Sequence, residues 1–421
     1  MYIMDNIGLL KSYTENNYLP LEKIRIAKLY KNLKEFKNID INEFWKELSD
    51  FRKSIGKKLI FLDKEERNLF FNYTKESREY VNFIEDLGRD KIEDIIPDDI
   101  KESALIDSLI DEAFSSSVIE GAYSTRKRAH DMIINNKQPK NKSEKMILNN
   151  FRALEYTMDN IEEELTHDIV YSIWEILTNE TIEEEDICSG YRTGDVEVRN
   201  KKDELVFEGP SSNEIQEMME SLIEYFNGID NTNPIVKACI IHYYFVYIHP
   251  FFDGNGRTAR ALMHMYLIRN GYDFLKYFSI SKILVDNRSG YYESIRTCEI
   301  HESDVTYFID FYTKLLIDTI SEIRKNYLNQ FSKKIIFESI EMKNVILNAR
   351  QEKVLNYFLK RTKSNIDIKE YTKKYQVTTE TARKDLQILV DFGFFKKIKS
   401  GKKYLYNFND IKEIISRLDK L

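Results

Sequence analysis

The amino-acid pattern predicts a mainly α-helical protein with one short strand-bearing interruption and a tail of opposite charge. Three observations carry this. Leu, Ile and Phe recur at 3.6-residue spacing over most of the 421 residues, and all six prolines lie at or before Pro250. Between about residues 100 and 330 a strand-like alternation of apolar and charged residues interrupts the helices once, from Asp195 to Phe207. From Ala349 to Phe408 there are fifteen Lys/Arg against six Asp/Glu, a local net of +9, while the chain as a whole is −7 and the remainder therefore −16.

The length exceeds what one hydrophobic core serves, so two or three domains are expected: 1–95, 96–330 and 331–421. Hydrophobic residues at 42% and charged residues at 32% fit a globular protein and exclude a disordered or membrane-spanning one. Met1–Tyr18 mixes Asp5, Lys11 and Glu15 among its apolar residues, so no signal peptide is read, and a cytoplasmic protein is expected with no membrane contact. Cys188, Cys239 and Cys298 are scattered and odd in number, matching neither a disulfide framework nor a zinc spacing. Abundant Lys, Ile, Asn and Tyr with few Gly and Pro suit an AT-rich bacterial genome.

Residues 1–95 read as amphipathic helices, Pro20–Phe36 and Ile41–Ile55 among them, without a chemical motif. More helices follow from about 100 to 330. Their interruption pairs Val196 and Val198 with a return at Leu205–Phe207 across turn residues Asn200–Glu204, and Pro210–Glu214 leads into a helix Ile215–Phe226. Pro234 opens an apolar helix through Tyr247, and a new helical pattern starts near Arg257. Pro250–Gly256 must be the loop between them.

That loop carries the chemistry: His249-Pro250-Phe251-Phe252-Asp253-Gly254-Asn255-Gly256-Arg257-Thr258-Ala259-Arg260. Glycines on both sides of Asn255 allow the backbone N–H groups to approach an anion at the next helix's N-terminus. Arg257 and Arg260, three apart, share a helix face and can fork onto phosphate oxygens. Asp253 offers a hard oxygen for a phosphate-bound Mg²⁺, and His249 can take a proton from a hydroxyl. A His before Pro is by itself usually structural, and Gly-Asn-Gly by itself usually a turn. The dense combination argues against both readings. A metal pair of His242 and His249 with Asp253 is opposed by the arginines crowding the same place.

These residues resemble the signature of the Fic (filamentation induced by cAMP) family, His-x-Phe-x-Asp/Glu-Gly-Asn-Gly-Arg-x-x-Arg, at every fixed position. The resemblance implies a helical Fic-type core with a β-hairpin flap, and AMP transfer from ATP to a Ser, Thr or Tyr hydroxyl of a protein, the chain itself included. It makes His249 the base, Asp253 the Mg²⁺ ligand, and Gly254, Asn255 and Gly256 the holders of the α- and β-phosphates. Arg257 and Arg260 would clamp the β and γ end, and Phe251 would be a buried anchor. Gly190-Tyr191-Arg192 is similar to the opening of the family's flap, which aligns a target segment by strand addition, here through Val196, Val198 and Phe207. Tyr291-Tyr292 resembles the pair near the adenine. The chain departs from many relatives in reading Cys298-Glu299 where they place an Asn.

Ser116-Ser117-Val118-Ile119-Glu120-Gly121 matches the family's inhibitory pattern at the end of a helix of about 101–121. The resemblance implies that Glu120 pairs with Arg260 and denies it to the γ-phosphate; in some relatives this Glu also supports removal of AMP. Family members often dimerise, so a homodimer fits the resemblance. Two rivals stand beside this reading: a DNA-binding regulator with a nucleotide-sensing core, and transfer of another group such as UMP, phosphate or phosphocholine.

In the tail, Gln351–Leu359, Ile368–Tyr375 and Thr381–Leu389 read as three helices, with a turn and N-cap at Val377–Thr379 and an end at Gly393. Phe394–Tyr406, centred on Ser400-Gly401, reads as a wing bearing Lys396, Lys397 and Lys399. The segment resembles a winged helix-turn-helix whose Thr381, Arg383 and Lys384 are positioned to meet a groove or phosphates of DNA or RNA. Such folds serve equally as protein-contact or dimer modules.

Overall fold

A computed structural model of the chain describes residues 2–31, 39–89, 98–199, 205–342, 345–359, 364–400 and 403–418. The chain divides into two compact units, one of residues 1–92 and 99–321, the other of 93–98 and 322–421. Helix α14, Thr306–Met342, contains a division point.

The first unit opens with α1 (Tyr2–Glu15), α2 (Leu21–Lys31) and α3 (Ile41–Ile55). The expected end of α2 at Phe36 falls outside the described residues. In α3 the Asp40 side chain accepts the N–H groups of Asn42 and Glu43, and Ile41, Phe44, Leu48 and Arg52, spaced by three and four, face inward. Helices alone were expected before residue 95, but β1 (Lys57–Leu62) and β2 (Asn68–Phe71) form an antiparallel hairpin there. Leu59 and Phe61 turn inward, and Phe61 stacks on Tyr244 at 4.0 Å. That distant partner settles the period, because Lys57–Leu62 is too short for its pattern to decide between helix and strand.

A buried polar network ties this segment to the start of α14. Tyr18 donates to Asp304 at 2.6 Å, Arg52 donates to the Tyr307 hydroxyl at 2.8 Å, and the Arg52 guanidinium lies 3.7 Å from the centre of the Tyr18 ring. Then come α4 (Lys75–Arg89), α5 (Asp98–Ile119), α6 (Arg126–Ile134), α7 (Lys142–Asp159) and α8 (His167–Thr178). The interruption is a hairpin, as expected: β3 (Glu197–Arg199) pairs antiparallel with β4 (Leu205–Glu208), Val198 opposite Phe207. Its turn, Asn200–Glu204, and the Val198 side chain lie outside the described residues.

The centre of the unit is α9 (Ile215–Asn227), α10 (Pro234–Ile248) and α11 (Asn255–Arg269). Asn233 caps α10 by accepting the Ile235 N–H, Pro234 occupies the first turn, and the helix is buried nearly all round. Such a helix has neighbours on every side. The unit closes with α12 (Ile280–Asp286), α13 (Arg288–Ile300) and the first part of α14.

The second unit holds α15 (Ala349–Leu359), β5 (Asn365–Asp367), α16 (Ile368–Tyr375), α17 (Thr379–Asp391), β6 (Phe395–Ser400), β7 (Lys403–Phe408) and α18 (Ile411–Leu418). The three helices and wing expected here are present. Unforeseen were α18 and β5, which pairs with β7 to give the antiparallel order β5-β7-β6. Gly401, one of the two residues on which the wing was centred, is outside the described residues. Val354, Leu355, Phe358, Ala382, Leu386, Leu389, Phe394 and Phe395 form its core.

Candidate active site

His249 ends α10 in the left-handed region, φ 50 and ψ 58, where its N–H still reaches the Phe245 carbonyl at 3.1 Å. A non-glycine residue there stores strain of about 1–3 kcal/mol, so surrounding contacts must hold it. Several do. Asn255 donates to the Phe251 carbonyl at 2.7 Å and accepts the Phe251 N–H at 3.0 Å, tying the loop across itself. Trp174 donates to the Asp253 carbonyl at 2.8 Å and stacks on Phe251 at 4.4 Å. Phe251 is fully buried, the anchor place expected of it.

Gly254 has φ 90, and a Cβ there would meet the Thr178 side chain at 2.8 Å and Trp174 at 3.1 Å, so only glycine fits. Helix α11 begins immediately after it. The first N–H groups of a helix lack intrahelical partners and carry its positive end. The Asn255 side chain, turned into the loop, leaves only its backbone amide for an anion.

The two arginines address different partners. Arg260 donates through Nε to the Ser116 hydroxyl at 2.8 Å, and through Nη2 to the Ser116 carbonyl at 3.0 Å and Glu120 Oε1 at 2.8 Å, while Nη1 is buried without a partner. Burial opposes the Arg260 charge most strongly, but the charge and hydrogen bond of Glu120 together with the nearby Tyr291 and Tyr292 raise the pKa above its usual value. Arg257, equally buried, donates to the Leu177 carbonyl at 3.0 Å and stands 3.5 Å from Asp253 Oδ1, with Nε unpartnered. Gly121 takes φ 96 just after Glu120, and a Cβ on Gly256 would run into the Glu120 carboxylate. The carboxylate therefore lies against the first turn of α11, where an anion is favoured.

Burial is the main reason that the His249 imidazole is pushed down to about 4; the Arg192 charge adds to it, while a hydrogen bond with the Val246 carbonyl and the charges of Glu120 and Asp253 oppose it. His249 is neutral at neutral pH and can accept a proton. Asp253 is half-exposed, and among the described residues no group of three His, Cys, Asp or Glu is poised for a metal. A single carboxylate suits Mg²⁺ held mostly by phosphates and water.

Val196 and Phe207 are partly buried, and the Phe207 ring lies 6.4 Å from the His249 ring, so the flap borders the imidazole. Tyr291 is buried, its hydroxyl 2.9 Å from His242 Nε2, whereas Tyr292 is exposed and set edge-on to it at 5.1 Å. Burial pushes the Glu299 carboxyl up to about 7. Sequence reasoning passed over Trp174, the carbonyl partners of Arg192, and His242 as the partner of Tyr291. One of only two tryptophans in the chain was the sole cue to the first.

In the second unit Thr378 caps α17 by accepting the Thr381 N–H. The Thr381 hydroxyl bonds to that of Thr378 at 2.9 Å, while Arg383 and Lys384 are exposed and Lys384 pairs with Glu380 at 3.1 Å. Lys396, Lys397 and Lys399 are exposed on the wing. Asp385 points inward to Arg350 at 2.8 Å and Tyr371 at 3.0 Å, which fixes the face of α17 left outside.

Comparison with known proteins places these features. A profile described as the Fic/DOC family matches residues 164–267, and one described as a DeoR-like helix-turn-helix domain matches residues 350–406. Protein adenylyltransferase fic-1 of Caenorhabditis elegans is 31% identical over 102 residues, 24% of this chain and 18% of that protein. Protein adenylyltransferase Fic of Nematostella vectensis is 34% identical over 113 residues, 26% of this chain and 25% of that protein. The chain thus spans a quarter or less of these relatives' length. A Fic family protein from Desulfovibrio desulfuricans G20 superposes with a TM-score of 0.52 at 18% identity, covering 80% of this chain and 98% of that one. A Fic-1 fragment from Caenorhabditis elegans gives 0.51 at 15% identity, covering 78% and 93%. Signature loop and profiles agree: residues 164–267 are similar to the Fic/DOC family and residues 350–406 to DeoR-like helix-turn-helix domains, and the fold is that of Fic proteins.

Proposed function

We propose that this protein transfers AMP from ATP to a protein hydroxyl and is restrained by its own Glu120. The observation that carries the reading is a neutral His249 and the anion-seeking start of α11 at the two ends of one pinned loop. In the reaction the target hydroxyl attacks the α-phosphorus, the bond to the bridging oxygen breaks, pyrophosphate leaves, and His249 Nε2 takes the hydroxyl proton while Nδ1–H faces the Val246 carbonyl. The backbone amides of Gly254, Asn255 and Gly256 would hold the α- and β-phosphates. Asp253 would hold Mg²⁺, which when bound offsets phosphate charge.

The Glu120–Arg260 pair supports the brake. Arg260 cannot fork onto a γ-phosphate while its Nη2 serves Glu120, and the carboxylate repels that phosphate. Removal of AMP by the same site would be a separate hydrolysis, in which water attacks the phosphorus, the target oxygen leaves with a proton and AMP is released. Curated adenylyltransferases among the matched proteins support AMP over UMP, phosphate or phosphocholine. The test offers labelled ATP, UTP, GTP and CDP-choline to a Glu120→Gly variant: label from ATP alone is expected on protein, and label from CDP-choline or UTP instead would overturn the reading.

A second reading, DNA binding by the C-terminal domain, is favoured by the exposed Arg383, Lys384 and wing lysines. It accompanies the first rather than replacing it, since a pure nucleotide sensor has no use for the unprotonated His249. In a cytoplasmic setting the partners would be ATP, a target protein, duplex DNA and a second copy of the chain.

A further inference from the structure

We propose that Arg192 is a positioning residue of the transfer reaction, locking both ends of the flap hairpin to the backbone of His249 so that a segment seated on the flap is held in register with the imidazole. The inference rests on the reading of His249 as the base.

Arg192 is 2% exposed, and its guanidinium is committed to main-chain carbonyls. Nε donates to His249 at 2.7 Å, Nη1 to Gly194 at 2.7 Å, and Nη2 to Pro210 at 2.7 Å and Ile248 at 3.4 Å. Its own N–H donates to the Pro250 carbonyl at 2.9 Å. Gly194 stands just before β3 and Pro210 just after β4, so one side chain grips both legs of the hairpin at their base and the two residues that end α10. A planar fork with five donors can span such a set; an ammonium on a flexible stem cannot.

The surroundings are built to admit it. A Cβ on Gly209 would stand 3.0 Å from Arg192 Nη2 and 2.9 Å from Val196 Cγ2, so the residue after β4 has to be small. The Asp195 carboxylate, itself 75% exposed, is 4.0 Å away, so carbonyl dipoles rather than an acid compensate the buried charge. A buried cation is a costly way to hold a loop that neutral donors could hold. What it adds here is a rigid link between a strained His249 backbone and the strand that receives the target. From the other side, Lys64 after β1 pairs with Glu208 of β4 at 3.0 Å.

The experiment uses the full chain carrying Glu120→Gly, with and without Arg192→Lys or Arg192→Ala. Three quantities are read: kcat for self-modification with labelled ATP, Kd for a non-hydrolysable ATP analogue, and hydrogen–deuterium exchange over 194–210 and 246–250. Arg192→Lys is expected to lower kcat about 100-fold, the scale of an ångström's misplacement at a reacting centre. Kd should stay within about twofold, exchange should rise in both segments together, and methylguanidinium added to Arg192→Ala should restore part of kcat. Unchanged kcat, unchanged exchange, or loss of nucleotide affinity alongside kcat in both variants would overturn the proposal. An inactive Glu120→Gly parent would instead overturn the transfer reading, while the exchange data would still decide whether Arg192 links flap and loop.

Discussion

Two helices of this chain begin with a tight turn and carry two cations within their first turns, yet they make opposite use of them. On α11, Arg257 and Arg260 are buried, and each is held by a carbonyl or carboxylate from another element. On α17, Arg383 and Lys384 stand in solvent, and the exposed Lys384–Glu380 pair is worth little. Buried guanidiniums are already aimed and desolvated, so their effect on a phosphate depends on single partners and barely on salt. Exposed cations act together through counterion release, and no single one decides. The same residue types thus suit a reaction centre in one place and a broad anionic surface in the other.

The largest expected break comes at the buried end. His249→Ala should lower AMP transfer by about 10²–10⁴-fold with ATP binding retained, because only the proton acceptor is removed. Radiolabelled transfer beside an equilibrium binding assay checks both; equal rates in mutant and parent would sink the assignment.

Releasing Arg260 is next. Glu120→Gly should raise transfer at least tenfold, equivalent to about 1.4 kcal/mol of recovered alignment. Adding Arg260→Ala should cancel the gain, since the proposed brake works through the Arg260–Glu120 pair. A double variant as active as the single one would move the restraint elsewhere.

At the exposed end, duplex binding should fall steeply between about 50 and 200 mM salt, and Lys396, Lys397 and Lys399 replaced together by Ala should flatten the log–log slope by about 2.7. ATP binding should respond far less over the same range. Salt-insensitive binding, or none at low salt, would favour a protein-contact role for the C-terminal domain.

The smallest effect concerns pH. With the His249 pKa pushed down to about 4, the imidazole stays unprotonated above that value and loses its acceptor role only as pH falls through it. An ordinary histidine would begin to fail near about 6.5. A kcat that is flat from pH 8 to about 5.5 is expected, and a midpoint near 6.5 would mean that the base is solvated during turnover.

The signature loop was legible because every property it needs is local. Proline at the start of α10, glycine at the positive φ of residue 254 and arginines one turn apart follow from short-range sterics. The tail's helices and wing were legible for the same reason, each carrying its own cap, period and stop. By contrast the hairpin Lys57–Phe71 was misread because Phe61 is set by a ring, Tyr244, from a helix far along the chain. Strand β5 escaped because three residues become a strand only when β7 lies beside them.

By itself, then, the sequence determined where helices begin and end around the loop, which residue types stand together there, and where basic charge collects. Tertiary structure alone decided that Arg260 also takes the hydroxyl and carbonyl of Ser116, that Asn255 turns its side chain inward, and that Arg192 gathers the carbonyls of His249, Gly194 and Pro210. Dihedral preferences and caps act over a few residues and are written in neighbours, whereas burial and hydrogen-bond partners join groups whose separation along the chain carries no information about their distance in space.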